Sequence, residues 1–195
     1  MDSNYFFGLP LKHNFVEYVY LNGLFLPHEI KGVRSLWKDQ ETVKATLSGD
    51  EKYNDELRKS SVMSIGSESE YKWVYDRLAS ASIQTNNERY WFDLLGFHEN
   101  LQLTRYSTGD FFDWHLDFGA GQSSMRKLSI TVQLSDPDEY EGGDLQFMIN
   151  HKIVSAPRSK GTAIVFPSFI MHRVTPITKG TRQSIVGWVS GTPYR

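Results

Sequence analysis

From Leu101 onward, apolar and polar residues alternate in one short segment after another, and this period of two limits the chain to a small set of folds. Leu101–Tyr106 alternates, and Leu128–Leu134 does the same. Asp144–Ile149 and Lys152–Ser155 flank Asn150-His151, a two-residue hairpin signal. Gly161–Phe166, Met171–Thr175 and Arg182–Val189 complete the series. Successive side chains of a strand point to opposite faces, so each of these segments can bury one side against a partner sheet. Short strands at this density, separated by turn residues, predict a jelly roll or barrel. The 12 Phe, 10 Tyr and 5 Trp suit strands and a packed interior.

The first half reads differently. Phe15–Leu21 is β-rich and is followed by Asn22-Gly23, a turn signal. Pro27 opens a helix running to Lys38 and continuing towards Leu47, with Ile30, Val33, Leu36 and Trp37 on one face. Ser67, with Glu70 three positions on, resembles a helix start, and Trp73, Val74, Arg77, Leu78 and Ala81 follow at helical spacing. The expected fold is mainly β (α+β), a cupin-like double-stranded β-helix with supporting N-terminal helices. The 195 residues suit one domain. Within it, 1–89 is expected to be mainly helical support with an N-terminal strand, and 90–195 the jelly-roll core.

Charge says little about partners. The 21 basic residues nearly balance 23 acidic ones and form no stripe, so no nucleic-acid partner is indicated. The absence of cysteine excludes disulfides and thiolate chemistry. No signal peptide and no bilayer-spanning run is visible, so a cytoplasmic location away from membranes is expected.

The chemistry gathers at His115, Asp117 and His172. Residues i and i+2 of a strand share a face, so His115 and Asp117 can converge on one ion while Leu116 points away. A single strand cannot supply the third corner, and His172, after the turn following Phe166-Pro167, can. Two histidines and one carboxylate form the facial triad that holds Fe(II) and leaves three positions open. A 2-oxo diacid fills two of these and dioxygen the third. Arg182 offers a fork for the far carboxylate. Tyr106 could add a second anchor. Ser129, Thr131 and Gln133 share one strand face, which is unusually polar for a core strand, so Gln133 and Thr131 are candidate cosubstrate contacts. Trp188, six positions past Arg182, could wall the pocket.

Three stretches carry a resemblance: Tyr106–Asp117, Leu134–Leu145 with Gly142-Gly143, and His172–Arg182 with its His-x-Val and Gly-x-Arg. They resemble the 2-oxoglutarate/Fe(II)-dependent dioxygenases, in particular the prolyl/lysyl hydroxylase-like branch (PKHD-type, prolyl 4-hydroxylase-like). The resemblance covers roughly residues 90–190. It implies a double-stranded β-helix, Fe(II) at His115, Asp117 and His172, and 2-oxoglutarate at Arg182 and near Tyr106. Collagen-type members have Lys where this chain has Arg182, which argues against a collagen-type enzyme. The implied reaction consumes O2, releases succinate and CO2, and hydroxylates a C–H bond of a prolyl or lysyl residue, an amino acid or a small molecule. Ascorbate is the candidate reductant.

Other features take plainer readings. His13, His28, His98 and His151 read as structural, His151 at a hairpin tip. Asp136–Glu141 reads as a solvated turn, and Gly142-Gly143 as a bulge or close approach. Ser60–Ser67, Gln84–Glu88 and Gly119–Ser124 are candidate loops around the mouth, the last a lid, and Asn86, Asn87 and Arg89 are candidate substrate contacts. Two other functions compete. One is a non-catalytic jelly roll that binds a metal or carboxylate, and the other is a cupin-like enzyme that dispenses with 2-oxoglutarate. Arg182 counts against both.

Overall fold

The computed structural model describes residues 15–38, 43–44, 56–67 and 70–194. In chain order the elements are β1 (Val19–Leu21), α1 (Pro27–Ser35), β2 (Val43–Lys44), β3 (Arg58–Lys59), β4 (Ser61–Ile65) and α2 (Lys72–Thr85). Then come β5 (Leu94–Phe97), β6 (Leu101–Ser107), β7 (Phe111–His115), β8 (Arg126–Gln133) and β9 (Tyr140–Gly142). The last are β10 (Leu145–Ile149), β11 (Lys152–Ser155), β12 (Ala163–Pro167), β13 (His172–Val174) and β14 (Ile177–Gly191).

The strands form two antiparallel sheets, the jelly roll that the alternation predicts. The larger runs β1-β12-β8-β14-β6-β4-β2, with β5 and β9 also on β14. The smaller runs β11-β10-β13-β7-β3. Strand β14 is the spine: Val186 pairs with Thr131 on one side and Gln102 on the other.

Each face of the larger sheet has its own task. Ile130, Val132 and Leu134 join Leu103, Ile185, Val33, Val74 and Leu78 in one buried cluster, so the helices cover that face. A second cluster, including Tyr106, Phe147, Ile164 and Phe166, lies on the side that meets the smaller sheet. Burying an apolar side chain contributes about 1.5–3 kcal/mol, so both clusters hold the layers together. The π-turn Asn86–Tyr90 closes α2 before the chain enters β5.

Several expectations shift. Helix α1 stops at Ser35 and tightens into a 3-10 turn at Leu36–Lys38. Val43–Lys44 is a strand on β4, so the continuation towards Leu47 fails there; the rest of that stretch lies outside the described residues. Within Phe15–Leu21 only Val19–Leu21 is strand. The second helix begins at Lys72, with Tyr71 in the capping position, rather than after Ser67. Glu68, Ser69, His13 and Arg195 lie outside the described residues. Ser61–Ile65 is a strand and not a mouth loop, because Met63 and Ile65 alternate into the core opposite Leu103 and Leu101. The described residues before 90 thus add four short strands to the sheets as well as two helices. At Asn150-His151 the hairpin forms as read, with φ of 48° and 62°, the left-handed pair that a two-residue turn requires. Among the described residues no helix is long and apolar enough to cross a membrane.

Candidate active site

His115 closes β7 and His172 opens β13, and these two residues pair across the smaller sheet. Asp117 lies just beyond β7, so it shares a face with His115 through the chain's exit from the strand and not through the strand itself. Its backbone is held by the Ser168 carbonyl, which accepts the Asp117 N–H at 3.0 Å. Leu116 points outward and is exposed. The result brings together two imidazoles and one carboxylate whose ligand atoms all lie within 4.8 Å of one another.

The hydrogen bonds around the histidines fix which nitrogen is free. His115 Nδ1 lies 2.7 Å from the Asp113 carbonyl, and His172 Nδ1 lies 2.9 Å from the Ile170 carbonyl. A carbonyl can only accept, so in the neutral ring each Nδ1 carries the proton and each Nε2 presents a lone pair. Those lone pairs face Asp117: His115 Nε2 is 3.7 Å from Oδ1 and His172 Nε2 is 3.5 Å from Oδ2. Acceptors that converge without a donor between them form a cation site, and backbone carbonyls orienting the rings are the expected supports. Phe112 stacks on His115 with ring centroids 3.4 Å apart, and Phe166 packs against His172 at 4.7 Å.

Burial drives the titration of the cluster. It pushes the His115 imidazole down to about 3; nearby His172 adds to this, while Asp117 and the Asp113 carbonyl oppose it. For Asp117, burial alone would raise the carboxyl. The charges of His172 and His115, the Ser129 hydroxyl and Arg126 outweigh it and hold the group below the usual carboxylate range. Neutral imidazole beside ionised carboxylate is the protonation state in which all three can ligate.

Further contacts hold Asp117 in place. Ser129 Oγ donates to Oδ2 at 2.6 Å and is also within 3.1 Å of Ser168 Oγ. Arg126 donates to the Asp117 carbonyl at 3.0 Å, forms a two-pronged pair with Glu99 and lies 3.9 Å over the Trp188 ring. Sequence reasoning placed Ser129 on the polar face without assigning it a role, and it missed Arg126 and Glu99. Nothing local links residues 27 positions apart, so no sequence signal for that pair existed.

Arg182 is 2% exposed and borders the same pocket as the triad, together with Tyr106, Thr131, Ser184 and Trp188. Its contacts are with neutral groups. Nη2 donates to Gln133 Oε1 at 2.9 Å, Nη1 lies 3.5 Å from Ser184 Oγ, and Nε is unpaired. The guanidinium sits 5.6 Å from the Tyr106 ring, whose hydroxyl has no hydrogen-bond partner among the described residues. A buried cation with no counter-charge among the described residues is costly, and an anion in the pocket would stabilise it. Gln133 stands behind Arg182 and bonds the Pro157 carbonyl at 3.3 Å, which makes it a brace for the guanidinium. Thr131 borders the pocket and donates to the Ile185 carbonyl at 3.1 Å. Gly143, at φ +65°, permits the approach of Arg182: a Cβ there would lie 3.2 Å from Arg182 Cδ and 2.3 Å from Ile177 Cδ1.

Two of the candidate mouth segments have structural work instead. Gln84–Glu88 is helical, split between the end of α2 and the π-turn. Within it Asn86 is buried, and its amide brackets the backbone of Phe92 from both sides, closing the turn after α2. Gly119–Ser124 is not an open glycine loop. Gly121–Met125 forms a 3-10 turn in which Ser123 and Ser124 bond the carbonyls of Ala120 and Gly121.

A buried two-histidine, one-carboxylate cluster between the sheets of a jelly roll defines the class of non-haem metal oxygenases. Comparison with known proteins gives the family. Residues 101–190 match the 2OG-Fe(II) oxygenase superfamily. A PKHD-type hydroxylase of Prochlorococcus marinus is 31% identical over 157 residues, 80% of this chain and 67% of that protein. A PKHD-type hydroxylase of a Synechococcus species is 35% identical over 99 residues, 50% of this chain and 45% of the relative, so the match spans under half of that protein's length. In three dimensions the chain is similar to a prolyl hydroxylase of Trichoplax adhaerens, solved with a hypoxia inducible factor oxygen degradation domain peptide fragment. That likeness has a TM-score of 0.76 at 17% identity, over 90% of this chain and 84% of the other, and it speaks for the fold. The chain belongs to the 2OG-Fe(II) oxygenase superfamily.

Proposed function

We propose that this protein is an Fe(II)- and 2-oxoglutarate-dependent dioxygenase. On this reading it hydroxylates an unactivated C–H bond of a prolyl or lysyl residue, an amino acid or a small molecule and releases succinate and CO2. The observation that carries the reading is the pair of Nε2 lone pairs aimed at Asp117, with the buried Arg182 on the same pocket.

His115, Asp117 and His172 would hold the ferrous ion through one atom each, and the family implies that ion. When bound with 2-oxoglutarate, it supplies the splitting of dioxygen, one atom to succinate and one to the substrate carbon. The residues of the chain do the rest. Asp113 and Ile170 carbonyls keep both rings in the ligating tautomer. Ser129 occupies one lone pair of Asp117 Oδ2 and thereby sets the direction of the others. Arg182, braced by Gln133, would take the far carboxylate of 2-oxoglutarate in a forked bond, with the Tyr106 hydroxyl as a second donor. Phe112, Phe166 and Trp188 wall the pocket and exclude water from its apolar side. A peptide substrate is one option, since the Trichoplax neighbour carries a peptide. A binding protein without turnover has no use for a second anion site beside an open metal face.

Anaerobic addition of Fe(II) and 2-oxoglutarate tests the reading. A visible charge-transfer band is expected in the wild type, and neither that band nor succinate should form in His172→Ala. A wild-type protein that binds both and shows no band, or a His172→Ala variant with substantial succinate release, overturns it.

A further inference from the structure

Away from the metal pocket, a lysine lies buried beneath an open cleft. Lys127, on β8 two positions before Ser129, is 3% exposed. Gly191 makes room for its stem, since a Cβ there would lie 2.7 Å from Lys127 Cγ. The ammonium ends 3.1 Å from the centre of the Tyr194 ring. Among the described residues it meets no hydrogen-bond acceptor and no carboxylate within 4.0 Å. Burial lowers its pKa, and Asp93, more distant, opposes that shift. An ammonium carries three N–H donors, and the face of one ring satisfies it from one side only. Arg195, which follows Tyr194 and lies outside the described residues, has a side chain of the same sign as Lys127.

The cleft above Lys127 measures about 340 Å³, which suits a small molecule. Trp91, Phe92, Pro193 and Tyr194 form its walls, and Asp93, Lys127 and Thr192 supply its polar groups. The walls are fixed from behind. Tyr194 meets Phe92 edge to face at 6.3 Å, and Phe118 and Phe169 pack on it at 5.4 and 6.4 Å. Trp91 stands in the left-handed region at φ 56°, a conformation that a bulky side chain rarely adopts and that gathers at ligand sites. Its indole Nε1 donates to the Asn87 carbonyl at 2.8 Å, which holds the ring in place. The Thr192 hydroxyl has no hydrogen-bond partner among the described residues. None of these lining residues also lines the metal pocket.

Aromatic walls over a recessed ammonium are complementary to an acid with a flat apolar body. An inorganic anion would leave the walls unused, and a neutral aromatic would leave Lys127 unpaired. Asp93 limits the ligand to one negative charge, because a second would face a carboxylate. We infer that this cleft is a second ligand site, separate from the metal pocket, and that it takes an organic monocarboxylate with an aromatic body. Lys127 takes the carboxylate, Thr192 donates a further bond, and Trp91 and Tyr194 hold the ring. The inference does not depend on the dioxygenase reading above.

The test uses the full chain loaded with Zn(II), a redox-silent substitute for iron, and saturated with 2-oxoglutarate so that Arg182 is occupied. Phenylacetate, phenylacetamide and inorganic phosphate are each titrated by calorimetry. Phenylacetate is expected to bind at one site, with a Kd at least tenfold below that of either of the others. Lys127→Met and Trp91→Asn are each expected to weaken it at least fivefold. Trp91 is half exposed and asparagine accepts the left-handed conformation, so the second variant keeps the test open should Lys127→Met fail to fold. Absence of phenylacetate binding, equal binding of the amide or of phosphate, or an unchanged Kd in a folded variant overturns the inference. Displacement of phenylacetate by further 2-oxoglutarate also overturns it, because the acid would then sit in the metal pocket.

Discussion

Arg182 shows how one side chain's surroundings specify a ligand. It is buried, its hydrogen bonds among the described residues go to the Gln133 amide and the Ser184 hydroxyl, and one of its nitrogens is unpaired. Lysine keeps the charge but loses the planar fork, and its shorter reach leaves Gln133 Oε1 without a donor. Arg182→Lys should therefore raise the Kd for 2-oxoglutarate at least tenfold, about 1.4 kcal/mol or more, read by titration of the Zn(II)-loaded protein. An unchanged Kd would rule out the forked clamp. The triad residues make the complementary point. Each imidazole is fixed by a carbonyl two positions earlier in the chain, so a local hydrogen bond sets the tautomer and the pairing of β7 with β13 only has to bring the rings together.

Among the elements, β14 and its partners control the pocket. It carries Arg182, Ser184, Val186 and Trp188 on the pocket side, and at its start it pairs with the short strand β9. That pairing is close. Gly142 has φ +73°, and a Cβ there would lie 2.1 Å from the Pro176 carbonyl oxygen; at Gly180 a Cβ would meet the Glu139 carbonyl oxygen at 2.1 Å. Backbone cannot retreat as a side chain can. Gly142→Ala should cost about 1–3 kcal/mol for the left-handed conformation, plus roughly 1–3 kcal/mol for overpacking. Urea unfolding measures this, and a loss below about 1 kcal/mol would mean that β9 is not held as described. Because Gly143 packs on Arg182, the same variant should also weaken 2-oxoglutarate binding.

The whole molecule should respond to pH through the buried cluster. The folded-state pKa of His115 is lowered from 6.5 to about 3, so between those values the unfolded chain binds the proton that the folded one refuses. Asp117 is also lowered, so folding again favours the deprotonated form. Both contributions are present near neutral pH and are lost as pH falls, the His115 part below about 6.5 and the Asp117 part on reaching the carboxylate range. The Tm of the metal-free protein should drop steadily from about pH 7 to about pH 4. Protons and metal compete for the same atoms, so Zn(II) should raise Tm more at about pH 7.5 than at about pH 5.5. A metal-induced rise that is equal at both pH values would count against ligation by these side chains.

The sequence by itself determined the strands from Leu101 on, the helical faces at Ile30, Val33 and Leu78, the hairpin at Asn150-His151, and the His115, Asp117, His172 and Arg182 set. Each of these rests on short-range physics: a period of two or 3.6, a turn pair with positive φ, and a His-x-Asp pair at the end of a strand. Only the tertiary structure decided the rest. Ser61–Ile65 became a strand because β6 offered an open edge, and Asn86 became a turn closure because Phe92 lay within reach of its amide. Gln133 became a brace because Arg182 lies opposite, 49 positions away. Long-range pairing depends on which surfaces meet after the chain has folded, and no pattern within a window of a few residues encodes that.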